Sequence, residues 1–531
     1  MAASPVEELR SAVQAAAAEL GDGATTPTLE RPKKAGFGDY STNAAMLLSK
    51  ALKAPPREIA ERLGVVLQER LGDRVERIEV AGPGFLNVFL ADAWYVAAAA
   101  HVLAADDWGG GTATQRERVN LEFVSANPTG PLTAASARHA AYGDTLARLL
   151  EFAGHEVSRE YYFNDAGGQL LRLGQSIRAR ARGEALPEDG YQGSYVTELA
   201  AEIPDAAERE PRDLADAGGA LMIERIQATL ERYRVHFDTW FSERALHEGP
   251  IQKAFERVEQ AGLSYRNEGA LWLRTTEFGD DQDRVILKSN GDPTYYAADL
   301  AYVENKLERG FERLIIPLGS DHHGYVPRFK AAMGAAGGDP EKLEIPLLQF
   351  VHLVEGDERV SMSKRRGEFI MLDDLIDEIG VDATRFFMLQ RSQDSTIDLD
   401  LDLARKESAE NPVYYVQYAH ARIASVLRKA GREPTMPTGD LELHPAEREL
   451  IKKLLAFPTE ADEAAERRAP HRIATYALEL AQTFTAFYRD CKVVGVEPEQ
   501  LESFRLGLCV ATRRTIARAL DLLGVSAPES M

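Results

Sequence analysis

The chain has 531 residues, which is enough for about three domains of ordinary size. Its hydrophobic fraction of 44% and charged fraction of 27% exclude a disordered or fibrous protein. The formal charge of −22 argues against indiscriminate binding of polyanions, although the tail from Arg405 onward carries as many basic as acidic residues. That neutral tail fits a domain that approaches a phosphate backbone, and it fits an ordinary helical domain equally well.

The cysteines and the apolar runs suggest a cytoplasmic protein without membrane association. Cys491 and Cys509 lie in helical, mostly apolar stretches without nearby histidines, so we expect buried reduced thiols rather than a zinc site or a disulfide. The first residues lack an apolar signal core. The most apolar run, residues 94–105, is too short to span a bilayer.

Residues 1 to about 112 predict a small α+β domain that ends in a glycine-rich linker. Helices are expected at residues 5–20, 42–52 and 57–71, and strands at residues 77–80 and 85–90. A basic and aromatic loop between the first two helices contains Phe37 and Tyr40. Aromatic rings in such loops can stack on unpaired bases, and packing of the two rings within the loop is an equally good interpretation.

Residues 119–163 predict a strand, a loop, a long helix and a second strand, which together form a βαβ unit with a right-handed crossover. The first strand carries Glu122, and the helix is closed by Gly154 as a C-terminal cap. Ligands of such sheets bind beyond the carboxyl ends of the strands, where free N–H groups of the helix start favour a phosphate. The sequence therefore predicts a nucleotide site at the loop between them.

The following segment, residues 167 to about 283, predicts a long acidic and helical insertion that becomes strand-like near residues 271–274. It is interpreted as an insertion because sheet-like patterns return only at residues 284–287. A buried strand at residues 314–318 ends in a polar cluster, and a strand at residues 344–353 precedes a basic loop. From residue 404 onward, a helix-periodic pattern predicts four helices joined by short loops, which is typical of an all-α bundle.

Six short motifs occur in a fixed order along the chain. They are SANPTGP at 125–131, YFNDAG at 162–167, GSDHHGYVPR at 319–328, DLDLDLA at 398–404, NPVYYVQYAHAR at 411–422 and LLGVSAP at 522–528. Together they resemble the arginyl-tRNA synthetase family of class I aminoacyl-tRNA synthetases, and the resemblance covers the whole chain.

The resemblance implies a multidomain α/β and α architecture. It comprises a tRNA-binding α+β domain (1–112), a Rossmann-like parallel-sheet catalytic domain with an insertion (113–403) and a helical anticodon-binding domain (404–531). The implied reaction joins arginine to tRNA through an arginyl-adenylate made from ATP, with Mg²⁺ accompanying the ATP. A monomer is expected.

The resemblance also implies an acidic pocket for arginine. Glu122 and Asn127 would hold its α-amino end, while Tyr295, Asp299 and His322 would line the guanidinium site. A planar guanidinium favours a carboxylate that accepts two parallel hydrogen bonds, which Asp299 can do. Without the resemblance, Asp299 is better explained as an acid stabilised by a helix dipole. Glu122 lies inside an apolar strand, where an acid requires a partner.

The helix start departs from the family pattern. The family places a histidine, two small residues and a second histidine where this chain has Thr133, Ala134, Ala135 and Ser136. Hydroxyl groups can replace part of the hydrogen bonding to ATP phosphates but not a positive charge. His139, one helical turn further on, is a candidate for an inward-facing side chain, although an exposed or core-packed histidine is the more common case.

The remaining implied contacts follow the family's motifs. The second signature, Lys-Met-Ser-Lys, retains only its second lysine, so the implied catalytic set is Thr133, Ser136 and Lys364. The implied ATP-binding set is Ser125, Ala126, Pro128, Thr129, Gly130, Pro131, Met362 and Ser363, and the implied tRNA-binding set is Phe37, Tyr40, Tyr488 and Met531.

Two alternatives remain open at this point. The missing histidines also fit a catalytically impaired, synthetase-like protein that binds tRNA or arginine. A class I enzyme for another amino acid fits less well, because an acidic pocket suits a cationic side chain.

Overall fold

A computed structural model describes residues 4–21, 26–32, 36–356, 358–360, 370–435 and 441–531. It has the predicted architecture of a small α+β region, a central α/β region and a helical C-terminal region. In these described ranges, none of the helices has the length and apolarity needed to cross a membrane.

The N-terminal region packs its helices against a four-stranded antiparallel sheet. Its elements are α1 (Pro5–Leu20), β1 (Leu29–Glu30), β2 (Tyr40–Thr42), α2 (Ala44–Leu52), α3 (Pro56–Leu71), β3 (Val75–Ala81), β4 (Phe85–Leu90) and α4 (Asp92–Ala104). The strand order is β1-β2-β4-β3. Ser4 begins α1, because its side chain accepts a hydrogen bond from the Glu7 amide at 3.2 Å.

The central region contains a five-stranded parallel sheet. Its first elements are β5 (Arg118–Glu122), α5 (Ala134–Ala153), β6 (Glu156–Phe163), α6 (Gly168–Arg182), α7 (Ser194–Glu202), α8 (Pro211–Arg232), β7 (Thr239–Ser242), α9 (Arg244–His247), α10 (Pro250–Gln260), β8 (Ser264–Asn267), β9 (Ala270–Leu273) and β10 (Arg284–Leu287). The later elements are α11 (Tyr295–Glu308), β11 (Arg313–Ile315), β12 (Leu318–Gly319), α12 (Val326–Ala335), β13 (Leu343–Glu344), β14 (Leu347–Leu348), β15 (Val351–Glu355), β16 (Glu358–Val360), α13 (Leu372–Leu389), β17 (Ile397–Asp400) and α14 (Leu401–Ala404).

The strand order of the parallel sheet is β13-β11-β5-β6-β7. From β5 the chain passes through α5 to β6 on one side, whereas β11 lies on the other side of β5. Neighbouring connections therefore leave β5 and β11 in opposite directions. In open α/β sheets, this change of direction opens a crevice beyond the carboxyl ends of the two strands.

The strand-like pattern near residues 271–274 is confirmed by β9, but the expectation that strands of the main sheet return only at residues 284–287 is wrong. The strand β7 lies within the segment interpreted as an insertion and pairs in parallel with β6 at the edge of the central sheet. The strand β10 instead pairs with β9 in a separate three-stranded antiparallel sheet. β7 has only four residues, all half-buried, so it shows no buried apolar run that would reveal it.

The predicted C-terminal bundle is present. Its helices are α15 (Pro412–Ala430), α16 (Pro445–Glu466), α17 (His471–Asp490) and α18 (Glu499–Leu522). The helix α16 continues through Pro458 to Glu466. Both cysteines are buried free thiols, as predicted, and burial raises the pKa of Cys509 to about 12.

Candidate active site

A cleft of about 700 Å³ lies at the carboxyl ends of β5 and β11. Its walls come from the end of β5, the first turns of α5, the inner face of α11, the loop after β12 and the segment 348–352. This is the position at which the strand order predicts a ligand. Three residues predicted for the substrate site line it, namely Glu122, Asp299 and His322.

The loop after β5 has a strained backbone that its neighbours hold in place. Val124 and Ser125 both have positive φ, at 67° and 44°, a region that a β-branched residue such as valine rarely occupies. The hydroxyl of Tyr161 donates to the Ala126 carbonyl oxygen at 2.9 Å and accepts from the Ala126 amide at 3.1 Å. Strain held in this way is a feature of functional sites, and here it directs Ser125 into the cleft.

Glu122 is already paired inside the protein. The fully buried Lys306 on α11 places its Nζ 2.5 Å from Glu122 Oε2 and 3.9 Å from Glu160 Oε1. Arg309 donates to Glu160 at 2.6 Å. Burial raises the pKa of Glu160, but Lys306 and Arg309 outweigh it and lower this pKa below its ordinary value. Two carboxylates and two cations thus form a neutral network under one end of the cleft.

Asp299 is different, because it has no hydrogen bond or ion pair among the described residues. Burial, followed by the charges of Glu243 and Glu122, raises its pKa to about 7, and Arg328 acts in the opposite direction. A cation placed beside Asp299 would relieve this penalty and ionise it fully. The cleft is therefore built to receive a positive group at Asp299.

Glu243 was not among the predicted site residues. It lies just after β7, in the segment interpreted as an insertion, and it accepts a hydrogen bond from the Tyr162 hydroxyl at 2.6 Å. Its charge is the second largest cause of the raised pKa of Asp299. No local pattern in the sequence reveals it, because the short strand β7, which brings this carboxylate to the same end of the sheet as Glu122, has no buried apolar run.

Two predicted substrate contacts are not brought to the cleft. Tyr295 lies one helical turn before Asp299, but its side chain is 76% exposed and extends into solvent. Asn127 does not line the cleft either, because its amide donates to Gln169 at 2.8 Å and accepts from the Asn164 main chain at 3.3 Å. Contact of Tyr295 and Asn127 with arginine stays a prediction.

The altered helix start forms one wall of the cleft. Thr133 precedes α5 without a side-chain cap and pairs with Met371 through an isolated β-bridge. Thr133 itself does not line the cleft, whereas Ala135 and Ser136 do. This wall therefore presents the Ser136 hydroxyl and the positive end of the α5 dipole to a ligand, because the amides of Ala134 and Ser136 already donate to the carbonyl oxygens of Ile370 and Thr133 at 2.9 Å each.

His139 also lines the cleft, so the inward orientation is correct and the more common interpretation is wrong here. Burial, with a contribution from Arg138, lowers the pKa of His139 to about 4. It is thus neutral at pH 7 and supplies a hydrogen-bonding group rather than a charge. Arg138 lies behind it, donating to the carbonyl oxygens of Gln349 and Ser392 at 2.6 and 2.8 Å.

Of the other residues implied for ATP binding, some line the cleft and others do not. Ser125 lines the cleft, whereas Ala126, Pro128, Thr129 and Gly130 run behind the helix start. Pro131 lines a neighbouring cavity of about 480 Å³. Met362, Ser363 and Lys364 lie outside the described residues.

The residues predicted to contact tRNA differ in exposure. Tyr40 is only 4% exposed and packs edge-on against Trp94, so the prediction that it stacks on a base is wrong. Phe37 and Met531 are exposed. Tyr488 is half-buried beneath the Arg422 guanidinium, which lies 5.0 Å from the ring centroid. Contact of these three with tRNA stays a prediction.

Comparison with known proteins decides the family. Residues 7–90 match the arginyl tRNA synthetase N terminal domain, residues 215–424 match the catalytic domain of tRNA synthetases class I (R), and residues 416–531 match the DALR anticodon binding domain. The arginine–tRNA ligase of Frankia alni is 48% identical over 96% of this chain and 95% of its own length. The chain belongs to the arginine–tRNA ligase family.

Further relatives support the same membership over the full length. The arginine–tRNA ligase of Shouchella clausii is 44% identical over 99% of both chains. The structure of Thermus thermophilus arginyl-tRNA synthetase matches with a TM-score of 0.76 and 26% identity, covering 99% of this chain and all of the other. The match to the catalytic domain begins at residue 215, beyond the altered helix start of this arginine–tRNA ligase family member.

Proposed function

We propose that this member of the arginine–tRNA ligase family attaches arginine to its cognate tRNA, and that the cleft between β5, β11 and α5 is where it forms arginyl-adenylate. The observation that carries this assignment is Asp299, a half-buried carboxylate that faces the cleft without a hydrogen bond or ion pair from any residue that the structure describes. A guanidinium offers two parallel donors and a permanent charge, which is the chemistry such a carboxylate requires.

The reaction needs no nucleophile from the enzyme. The carboxylate of arginine attacks the α-phosphate of ATP, pyrophosphate leaves, and the adenylate is transferred to the ribose of the terminal tRNA adenosine. Catalysis then consists of positioning the two substrates and stabilising phosphate charge. In this cleft, Asp299 would fix the guanidinium end of arginine, and the opposite wall would receive the phosphates.

The phosphate wall of the proposed site is the start of α5. Its helix dipole and the Ser136 hydroxyl both favour an anion. Lys364 and its neighbours would add positive charge from the second signature. Mg²⁺ would enter with ATP, since the described part of the chain has no group of three or more His, Cys, Asp or Glu side chains that could hold a metal.

The comparisons give no support to the alternative of an impaired binding protein. The direct test is charging of tRNA with radiolabelled arginine by the purified full-length chain. Label in tRNA that depends on ATP is expected, and no label above background would overturn the proposal. Monomeric behaviour and a cytoplasmic location stay predictions.

A pair of variants tests the arginine site itself. Asp299→Ala should raise the KM for arginine strongly while leaving the KM for ATP nearly unchanged. Asp292→Asn, which removes an exposed carboxylate from the loop before the same helix, should change neither constant. An unchanged KM for arginine in Asp299→Ala would count against the site assignment.

A further inference from the structure

Tyr195, at the start of α7, hydrogen-bonds the turn that leads into α5. Its hydroxyl donates to the carbonyl oxygen of Thr129 at 2.8 Å. A Cβ placed on Gly130 would lie 3.1 Å from that hydroxyl oxygen and 3.3 Å from the adjoining ring carbon. The ring therefore packs directly on the Thr129–Gly130 turn, and residue 130 has little room for a side chain.

The segment that carries Tyr195 is itself well packed. The helices α6, α7 and α8 share a small core that is separate from the cores beneath the central sheet. Its buried members are Leu173, Ile177, Val196, Leu199, Ile203, Ala206, Leu214 and Met222. At Gly174 the helices α6 and α8 approach so closely that a Cβ would overlap the Pro211 carbonyl oxygen. Tyr195 thus projects from a rigid body rather than from a loop.

The helical body formed by α6, α7 and α8 also contacts the start of α13. On α8, Thr229 donates to Asp373 at 2.5 Å, and Arg232 forms an ion pair with Asp373 at 3.0 Å. The neighbouring Leu372 amide donates to the Leu132 carbonyl oxygen at 2.9 Å, immediately before α5. The helical body is therefore fixed relative to the start of α5 by two independent sets of contacts.

We propose that Tyr195 is a positioning residue for the nucleotide end of the active site. It acts through the Thr129–Gly130 turn, which sets where the chain enters α5 and hence where the Ser136 hydroxyl and the positive end of the α5 dipole face the cleft. The ring has no contact with the arginine end, where Asp299 lies on α11. This inference rests on the proposed function, because it assumes that ATP binds at the start of α5.

The test is Tyr195→Phe, which removes one oxygen atom and leaves the ring in place. Initial rates of tRNA arginylation are measured with ATP varied at saturating arginine, and with arginine varied at saturating ATP. The KM for ATP should rise roughly 2- to 10-fold, the range expected for one neutral hydrogen bond, and the KM for arginine should stay within twofold. Tyr191→Phe is the matched control, because no described residue hydrogen-bonds its hydroxyl.

A double-mutant cycle identifies the contact. Gly130→Ala should raise the KM for ATP in the wild-type background and should do so less in the Tyr195→Phe background, where the closest atom is gone. The inference would be overturned by additive effects of the two substitutions on the KM for ATP, or by an unchanged KM for ATP in Tyr195→Phe. Equal rises in both KM values together with a lowered Tm would also overturn it. Wild-type protein without ATP-dependent charging would overturn the proposed function and this inference with it, whereas normal wild-type charging separates the two.

Discussion

Replacing Asp299 by asparagine should stabilise the substrate-free protein at neutral pH. The carboxyl has a pKa of about 7 in the folded chain against an ordinary value of 3.8, so its ionised form is disfavoured by folding. A difference of about three units, at about 1.4 kcal/mol each, makes the penalty at most about 4 kcal/mol above pH 7. The folded chain binds the extra proton between pH 4 and 7, so the penalty grows across that range and vanishes below it.

The measurement is the urea midpoint of unfolding for wild type and Asp299→Asn at pH 5 and pH 8. The variant should gain more stability at pH 8 than at pH 5, and it should lose arginine binding in calorimetry at both. Asp292→Asn should show neither effect, because its side chain is exposed. A gain of the same size at both pH values, or no gain at pH 8, would refute the view that an uncompensated charge lies in the cleft.

Three further predictions concern the rest of the cleft. Lys306→Met should lower Tm in thermal unfolding, because an unpaired buried Glu122 costs about 3–5 kcal/mol; an unchanged Tm would contradict the pairing. The double change Thr133→His and Ser136→His should accelerate adenylate formation in single-turnover assays by up to about 10²-fold if charge at the phosphates limits the rate; an unchanged rate would show that it does not. His139→Gln should leave the pH–rate profile unchanged from pH 6 to 8, since the histidine is already neutral there.

The catalytic unit was predictable because its signals are local. The strand carrying Glu122, the long helix closed by Gly154 and the second strand follow from periodicity and a C-terminal cap, and all three are present. Asp299 was predictable through the family motif, and its unpartnered carboxylate now supports the arginine site on physical grounds. The need for a partner at Glu122 also followed from burial alone, since an unpaired acid in an apolar strand is costly.

The identity of that partner did not follow, although a signal was present. Tyr302 and Lys306 lie three and seven residues after Asp299, on the same face of α11. Because the Asp299 carboxylate faces the cleft, Lys306 lies on the same wall, two turns further along α11. The other incorrect predictions concern features that depend on tertiary packing. Whether Tyr40 faces a core or solvent is decided by neighbours far away in sequence.

The arginine end and the nucleotide end of the cleft differ in the protein groups that they offer to a charged ligand. At the arginine end, the neutral network of Glu122, Lys306, Glu160 and Arg309 leaves Asp299 as the carboxylate that a cation can neutralise. At the nucleotide end, His139 is neutral and the hydroxyl of Ser136 carries no charge, while Arg138 is buried in the wall and already donates to the carbonyl oxygens of Gln349 and Ser392, so the α5 wall offers mainly dipoles. Dipoles stabilise a phosphate only when they are held at the correct angle and distance. Substitutions that shift the start of α5 should therefore cost this chain more in ATP binding than they would cost a relative that has both histidines.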